Sequence, residues 1–217
     1  NLFLIKQFNK VNKKMIACLD LEGVLLPEIW IKFAEKTGVE DLKLTTRDIP
    51  DYDELMTKRL NILKENNFKL TDIKEVISTL EPLDGAIEFH KWLRSEFEVI
   101  ILSDTFYQFV SPLMQKLDYP TLFCHQLVID KNDSIIGYKL RQPNGKQEAV
   151  KALQNLNFKV VAAGDSYNDI GMLKQANEGI LFDPPKNVIT DYPQFAVSMS
   201  YADFQKKLEA CKIKFEG

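Results

Sequence analysis

Residues 16–20 read IACLD, a short apolar run that ends at an acid. The same pattern recurs further along the chain, in VIILSD at 99–104, VVAAGD at 160–165 and ILFD at 180–183. Short continuous apolar runs of this kind are typical of strands that are buried on both faces of a parallel sheet. Because helical patterns separate the runs, the sequence predicts an α/β fold with a Rossmann-like parallel sheet.

The acid at the end of each run suggests where a site would form. Parallel strands place their carboxyl ends along one edge of the sheet, and open α/β sheets bind ligands outside that edge. A single aspartate after a strand is commonly a turn residue or a helix cap. Four such residues in register favour a shared crevice, so we expect Asp20, Asp104, Asp165 and Asp183 to lie together.

A long segment, residues 27–83, separates the first two predicted strands. A crossover between parallel strands needs only a dozen or more residues, so this segment is an insertion. Its pattern is helical, and we predict a small cap domain that closes over the crevice and excludes water. The sheet domain would then consist of 15–26 and 84–217, with a β-hairpin around the turn residues 131–133, KND.

Capping residues predict where the helices of the inserted segment begin. Pro27 is suited to the first position of a helix, and Asp51, Thr71 and Asp84 are suited to cap the three helical patterns that follow. Gly38 is suited to end the first of these helices.

Composition excludes several classes of protein. Hydrophobic residues make up 45% of the 217, which is enough for a packed core. The formal charge of −3 argues against nucleic acid as a partner, and no apolar run is long enough to cross a membrane. Residues 1–14 lack the features of a secretory signal, and we interpret them as an N-terminal extension before Met15. Cys18, Cys124 and Cys211 form no CxxC pair, so we expect reduced thiols in a cytoplasmic protein.

Two carboxylates, Asp20 and Glu22, follow the first predicted strand with one residue between them. In such a pair one carboxylate can attack as a nucleophile, while the other donates a proton to the leaving group and later accepts one from water. Aspartate nucleophiles attack phosphoryl groups, whose transfer needs neutralised charge. Ser103 could donate to a phosphoryl oxygen and Lys146 could neutralise it, while Asp20 with Asp165 could hold Mg²⁺.

These residues belong to four motifs: DLEGV at 20–24, SDT at 103–105, Lys146, and GDSYND at 164–169. In this order, with a helical insertion after the first, they resemble the haloacid dehalogenase superfamily of aspartyl phosphotransferases. The similarity is closest to phosphoserine phosphatases and, among them, to the bifunctional bacterial branch that also transfers the phosphoryl group of phosphoserine to homoserine. It extends from residue 15 to about residue 201.

The resemblance implies a role for each matching residue. Asp20 would form the phosphoaspartate, and Glu22 would be the general acid and base and also offer its backbone carbonyl to Mg²⁺, with Asp165 completing the metal ligands. The substrate-binding residues it implies are Ser103 and Lys146 for the phosphoryl group, Glu28 and Arg59 for the ammonium and carboxylate of the amino acid, and Asp104 and Asn168 as lining of the pocket. The substrate would be L-phosphoserine, and the family suggests a homodimer.

The chain departs from most phosphoserine phosphatases at Glu22, where they carry Asp, and at residues 23–24, GV, where they carry Ser-Thr. The extra methylene displaces the carboxyl group by about 1 Å, which is enough to alter proton transfer to water. We therefore predict slow hydrolysis, which gives the phosphoaspartate time to meet an alcohol such as homoserine.

Two other functions fit the same residues. One is a phosphatase for another small phosphometabolite, and the other is a sensor that binds magnesium and a phosphorylated metabolite without turnover. Taken alone, Arg59 would be a solvated charge on a helix, and Glu28 a carboxylate that stabilises the first helical turn. The combination of nucleophile, acid, lysine and metal aspartate favours an enzyme, and Glu28 with Arg59 suits a zwitterion.

Overall fold

The computed structural model describes residues 15–46, 48–49 and 51–216. The predicted extension at 1–14 lies outside these residues. The described strands are β1 Ile16–Leu19, β2 Glu98–Phe106, β3 Thr121–Ile129, β4 Ile135–Lys139, β5 Val160–Gly164, β6 Glu178–Phe182 and β7 Ala196–Ser198. Within this part of the chain they form one seven-stranded sheet in the order β4-β3-β2-β1-β5-β6-β7.

All neighbouring strands are parallel except β3 and β4, which pair antiparallel as the predicted hairpin. The α/β fold with a mostly parallel sheet is therefore confirmed. Strand β1 occupies the centre, and its last residue Leu19 is level with Ile101 of β2 and Ala163 of β5. The backbone N–H of Asp20 donates to the Ala163 carbonyl at 2.9 Å, so this acid stands at the middle of the carboxyl edge.

Both faces of β1 are covered, which explains why its sequence is continuously apolar. Ala17 and Leu19 belong to a core that also holds the inserted helices, whereas Ile16 and Cys18 belong to a second core on the other face. Cys18, like the other two cysteines, is a buried free thiol.

The helices between β1 and β2 are α1 Ile29–Thr37, α2 Tyr52–Glu65, α3 Leu70–Ser78 and α4 Ala86–Glu96, with a 3-10 turn at Glu40–Lys43 after α1. Among the described residues of 27–83, no strand is present, as the helical pattern predicted. The division into a sheet domain and a cap stays a prediction.

The first helix begins two residues later than Pro27 indicated. Glu28 keeps an extended backbone, with φ −61° and ψ 113°, and occupies the N-cap position, so Ile29 is the first helical residue. The end at Gly38 is confirmed, because this residue adopts the left-handed conformation and its N–H donates to Ala34. Asp51 is also confirmed as a cap, since its side chain accepts from the Glu54 N–H.

The caps predicted at Thr71 and Asp84 are wrong, each for a different reason. Thr71 lies inside α3, and both its N–H and its hydroxyl donate to Asp133 in the hairpin turn, at 2.8 and 2.7 Å. The first turn of α3 is therefore hydrogen-bonded by a residue 62 positions further along the chain. Gly85 precedes α4 in a left-handed conformation, φ 82°, which moves the start of that helix one residue past Asp84.

The remaining helices are α5 Tyr107–Met114, α6 Gly145–Asn155, α7 Ile170–Gln175, α8 Lys186–Asp191 and α9 Tyr201–Glu216, with a 3-10 turn at Tyr167–Asp169 before α7. In the described residues no helix is both long and apolar enough to span a lipid bilayer. Helix α9 reaches back to the loop after β1: the Tyr201 hydroxyl donates to the Val24 carbonyl at 2.6 Å. The Tyr201 ring stacks on Phe89 and Phe182, at 4.8 and 4.7 Å.

The buried imidazole of His90 in α4 makes the stability of the fold depend on pH. The residue is 2% exposed, and among the described residues its Nε2 has no hydrogen-bond partner. Burial, and then the charge of Arg94, lower the pKa of His90 to about 4, although Asp118 acts in the opposite direction. The unfolded chain takes up this proton below about pH 6.5, which the folded state resists.

We therefore expect the free energy of unfolding to decrease as the pH falls from 6.5 towards 4, with a His90 contribution of at most about 1.4 kcal/mol per pH unit. Urea denaturation of wild type and His90→Leu at several pH values measures that contribution. The difference between the two free energies should change as the pH falls through this range. A constant difference would contradict the role assigned to His90.

Candidate active site

Three of the four predicted strand-end acids meet at the carboxyl edge of the sheet. The Asp20 carboxylate is close enough to Asp104 and Asp165 for both to raise its pKa. Asp183 does not join them. Its side chain is exposed, and its backbone N–H donates to the Ser198 carbonyl of β7. Its charge raises the pKa of Tyr201. The expectation of a crevice shared by all four acids is therefore wrong for Asp183.

Strand β2 continues past its predicted end and carries three of the polar residues into the site. Its pairing with β3 shifts register between Leu102 and Phe106. Ser103, Asp104 and Thr105 lie in this irregular stretch, so the strand extends two residues beyond the acid that ends its apolar run. Ser103 and Thr105 are both buried, at 5% and 6% exposure.

Lys146, near the start of α6, forms ion pairs with three carboxylates of the site. Its Nζ lies 2.7 Å from Asp169 Oδ1, 2.9 Å from Asp20 Oδ2 and 3.4 Å from Asp104 Oδ2. Burial opposes the charge of this ammonium, but the three carboxylates outweigh burial and raise the pKa of Lys146 well above its usual value. Lys146 is therefore a permanent cation at the bottom of the site.

One lysine does not neutralise the cluster. Burial, followed by the charge of Asp169, raises the pKa of Asp20 well above its usual value despite the opposing effect of Lys146. The Asp169 carboxylate is completely buried, and its Oδ2 accepts the N–H groups of Asp165 and Ser166. An additional cation beside Asp20 would favour the ionised carboxylate.

The geometry suits a hard divalent cation. Asp20, Asp165 and Asp169 each offer one carboxylate oxygen, and these oxygens lie within 4.8 Å of one another. Carboxylate oxygens are the ligands that Mg²⁺ and Ca²⁺ prefer. A Cβ on Gly23 would lie 2.5 Å from the Asp165 Cγ, so the absence of a side chain lets the loop after β1 pass directly beside these acids. Asp169 lies with the two predicted carboxylate ligands, Asp20 and Asp165, but its Oδ1 is bonded to Lys146 and its Oδ2 to two backbone N–H groups.

The Glu22 carboxyl group is hydrogen-bonded to the start of α1. Its Oε2 accepts from the backbone N–H of Ile29 at 2.9 Å. Burial raises the pKa of Glu22, although hydrogen bonding by Ile29 and Thr105 and the charge of Arg59 lower it. A carboxyl group with a raised pKa is suited to donate a proton.

A small cavity of about 80 Å³ brings the remaining predicted residues together. Besides Tyr52, Thr105 and several residues of the inserted segment, its lining includes Asp20, Glu22, Glu28, Arg59, Ser103, Asp104 and Asn168. Lys146 and Asp165 do not line the cavity, but both lie beside Asp20, which does. The structure therefore places every predicted site residue in or beside one cavity.

Arg59 is not the solvated helix charge that is common at such positions, because only 8% of it is exposed. Its Nη2 donates to the Leu44 carbonyl at 2.8 Å, and its guanidinium lies 4.6 Å from the ring centroid of Trp30. In the part of the chain that the structure describes, its buried Nε has no hydrogen-bond partner. Burial lowers the pKa of Arg59 to about 10, so it stays cationic, and the nearby carboxylate of Glu28 favours that charge. A buried guanidinium with a spare donor is suited to bind a carboxylate.

A groove of about 840 Å³ adjoins the cavity, and Tyr52, Asp104 and Asn168 line both spaces. The Tyr52 hydroxyl donates to the Asp104 carbonyl at 3.0 Å. The Asp104 carboxylate accepts from Asn168 at 2.8 Å and lies 3.4 Å from His125 Nε2. Although burial opposes ionisation, Lys146, His125 and Asn168 hold the pKa of Asp104 well below its usual value.

No side-chain role was predicted from the sequence for Thr105, Tyr52 or His125. Thr105 follows Ser103 by two residues in the same strand, so a correct length for β2 would have placed both on one face. Tyr52 and His125 reach the site through tertiary contacts, and the local sequence holds no signal for either of them.

Comparison with known proteins agrees with this arrangement. A family model described as haloacid dehalogenase-like hydrolase matches residues 14–177. The chain therefore belongs to the haloacid dehalogenase-like hydrolases.

Two relatives of high sequence identity are phosphoserine phosphatases. The chain is 59% identical over 192 residues to the phosphoserine phosphatase ThrH of Pseudomonas aeruginosa, which covers 88% of this chain and 94% of the relative. It is 57% identical to a phosphoserine phosphatase of Pseudomonas syringae pv. tomato, over 88% and 81% of the two chains. A solved phosphoserine phosphatase described as a phospho-aspartyl intermediate analogue shares the fold, with a TM-score of 0.73, 22% identity and coverage of 92% and 99%.

Gly23 provides a test of the metal-binding geometry. Substitution Gly23→Ala would drive a methyl group into the Asp165 carboxylate, and we expect it to weaken Mg²⁺ binding by about tenfold or more, measured by calorimetric titration. Gly38→Ala is the matched control, because Gly38 has a similar φ of 73° but no atom within 4 Å of the added Cβ. Equal Mg²⁺ affinities of the two variants would contradict the assignment.

Proposed function

We propose that the chain is a magnesium-dependent phosphoserine phosphatase that works through a phosphoaspartate on Asp20. The observation that carries this proposal is the placement of two different sets of groups around one cavity. Asp20, Lys146 and the metal-binding acids lie at its base, while Arg59 and Glu28 line it. A phosphate monoester of an amino acid has the complementary groups at its two ends.

In the first step, an Asp20 carboxylate oxygen attacks phosphorus and the bond from phosphorus to the serine oxygen breaks. Glu22 supplies the proton that this oxygen takes up, so serine leaves as a neutral alcohol. Ser103 and Lys146 bind the phosphoryl oxygens. When bound, Mg²⁺ neutralises phosphoryl charge and favours the ionised Asp20.

In the second step, Glu22 takes a proton from a water molecule or an alcohol, whose oxygen attacks the phosphorus of the phosphoaspartate. The bond to the Asp20 oxygen breaks, and the carboxylate is restored. Water gives inorganic phosphate, and homoserine gives phosphohomoserine. We propose that both products form, because the longer side chain of Glu22 makes it a poorer base towards water than the aspartate of most phosphoserine phosphatases.

Recognition of the amino acid rests on the inserted segment. Arg59 is proposed to bind the substrate carboxylate and Glu28 its ammonium group, and the two side chains are close enough to influence each other electrostatically. Asp104 and Asn168 line the same cavity, next to the phosphoryl end. Residues 27–83 would then act as a cap that excludes bulk water once substrate is bound.

The test is an assay of the full chain with L-phosphoserine and Mg²⁺, with and without homoserine, that quantifies both phosphate and phosphohomoserine. We expect turnover by the wild type and a loss of about 10³-fold or more in Asp20→Asn, because the amide cannot form the phosphoaspartate. Thermal unfolding shows whether that variant remains folded. Magnesium binding without any product in the wild type would overturn the assignment and favour another phosphometabolite or a sensor.

The choice between water and homoserine depends on Glu22. We expect Glu22→Asp to increase the ratio of phosphate to phosphohomoserine several-fold at a fixed homoserine concentration, because the shorter side chain restores the proton acceptor of ordinary phosphatases. Glu35→Asp is the matched control, since Glu35 is an exposed residue of α1 paired with Lys32. An unchanged ratio in Glu22→Asp would show that this side chain does not decide between the acceptors.

A further inference from the structure

The Glu22 carboxyl group is positioned by groups that belong to two different parts of the fold. Ile29, the first residue of α1 in the inserted segment, donates its N–H to Glu22 Oε2 at 2.9 Å. The Thr105 side chain, near the end of β2, lowers the pKa of Glu22 and so lies beside the same carboxyl group. The carboxyl group therefore lies between the sheet and the first inserted helix.

Ile29 stands between two residues with other tasks at the same cavity. Glu28 lines the cavity and is the proposed partner of the substrate ammonium, and the Trp30 ring lies 4.6 Å from the Arg59 guanidinium. Of three consecutive residues, Glu28 thus lines the cavity, Ile29 bonds to Glu22, and Trp30 contacts the Arg59 guanidinium. A shift of this short segment would move all three contacts together.

We propose that the Ile29 N–H and the Thr105 hydroxyl are positioning groups that aim the Glu22 carboxyl at the leaving-group oxygen. The inference rests on the proposed function, and it adds to it the residues that orient the acid. Glutamate has three rotatable side-chain bonds, and a displacement of about 1 Å is enough to lower the rate of proton transfer strongly.

The backbone donor can be removed without disturbing the helix. Ile29 occupies the first helical position, where proline is well tolerated because the N–H of that residue has no partner within the helix. Glu28 already has the extended conformation that a residue before proline requires, with φ −61° and ψ 113°. Ile29→Pro therefore deletes the donor to Glu22 and leaves the local backbone geometry intact.

Loss of side-chain packing needs its own control, because Ile29 is only 1% exposed. Ile29→Ala removes more of the side chain than proline does, yet it keeps the N–H. Thr105→Val and Thr105→Ser form a second pair, in which valine keeps the shape without the hydroxyl and serine keeps the hydroxyl. This pair remains informative if Ile29→Pro fails to fold.

The readout compares two substrates by kcat/KM, which reports on steps up to formation of the phosphoaspartate. L-Phosphoserine has an alkoxide leaving group that needs a proton, whereas the leaving group of p-nitrophenyl phosphate is stable as an anion. We expect Ile29→Pro and Thr105→Val to lower kcat/KM for phosphoserine about tenfold more than for p-nitrophenyl phosphate. Ile29→Ala and Thr105→Ser should leave the ratio of the two values near that of the wild type.

Parallel losses on both substrates in Ile29→Pro and Thr105→Val would overturn the inference, because a purely structural role lowers both rates together. If other contacts orient Glu22, both variants should keep the wild-type values on both substrates, and that result would also reject the proposal. Failure of the proposed function has a different signature: the wild type would hydrolyse p-nitrophenyl phosphate without turning over phosphoserine.

Discussion

The ammonium of Lys146 makes it possible for acids from several strands to be buried side by side. Removing charged carboxylates from water is costly unless a cation compensates for it. Lys146 lies within 3.4 Å of Asp20, Asp104 and Asp169, which follow or belong to three different segments of the carboxyl edge. The three acids carry more negative charge than Lys146 neutralises. A divalent cation would compensate for the excess, and it would also favour the ionised form of Asp20.

The sheet and the base of the site follow from sequence because their signals are local. Strands buried on both faces must be continuously apolar, and a carboxylate directly after such a strand lies at the carboxyl edge whatever the loops do. The rule failed at Asp183, where the chain turns towards β7 and the side chain stays exposed. The sequence thus predicts that an acid lies at the carboxyl edge, but whether its side chain points into the site depends on the neighbouring strand.

Apart from the starts of α1 and α4, which depend on the adjacent residues Glu28 and Gly85, the other errors and omissions involve partners that are distant in the chain. The start of α3 is hydrogen-bonded by Asp133, and the pKa of Glu22, the proposed proton donor, is lowered by Thr105 on β2. Arg59 could be assigned only by resemblance, since its burial results from contacts with Leu44 and Trp30. Tertiary contacts of this kind have no periodicity or motif that a single sequence would reveal.

The central position of β1 has a consequence for how the chain acquires its site. Ile16 pairs with Glu98 on one side and Val160 on the other, so β1 leaves the ribosome before both of its neighbours in the sheet. Contacts of such large sequence separation form slowly, whereas the helices between β1 and β2 can assemble early. The nascent chain must therefore carry β1 without a partner until β2 is synthesised, and with one open edge until β5 follows.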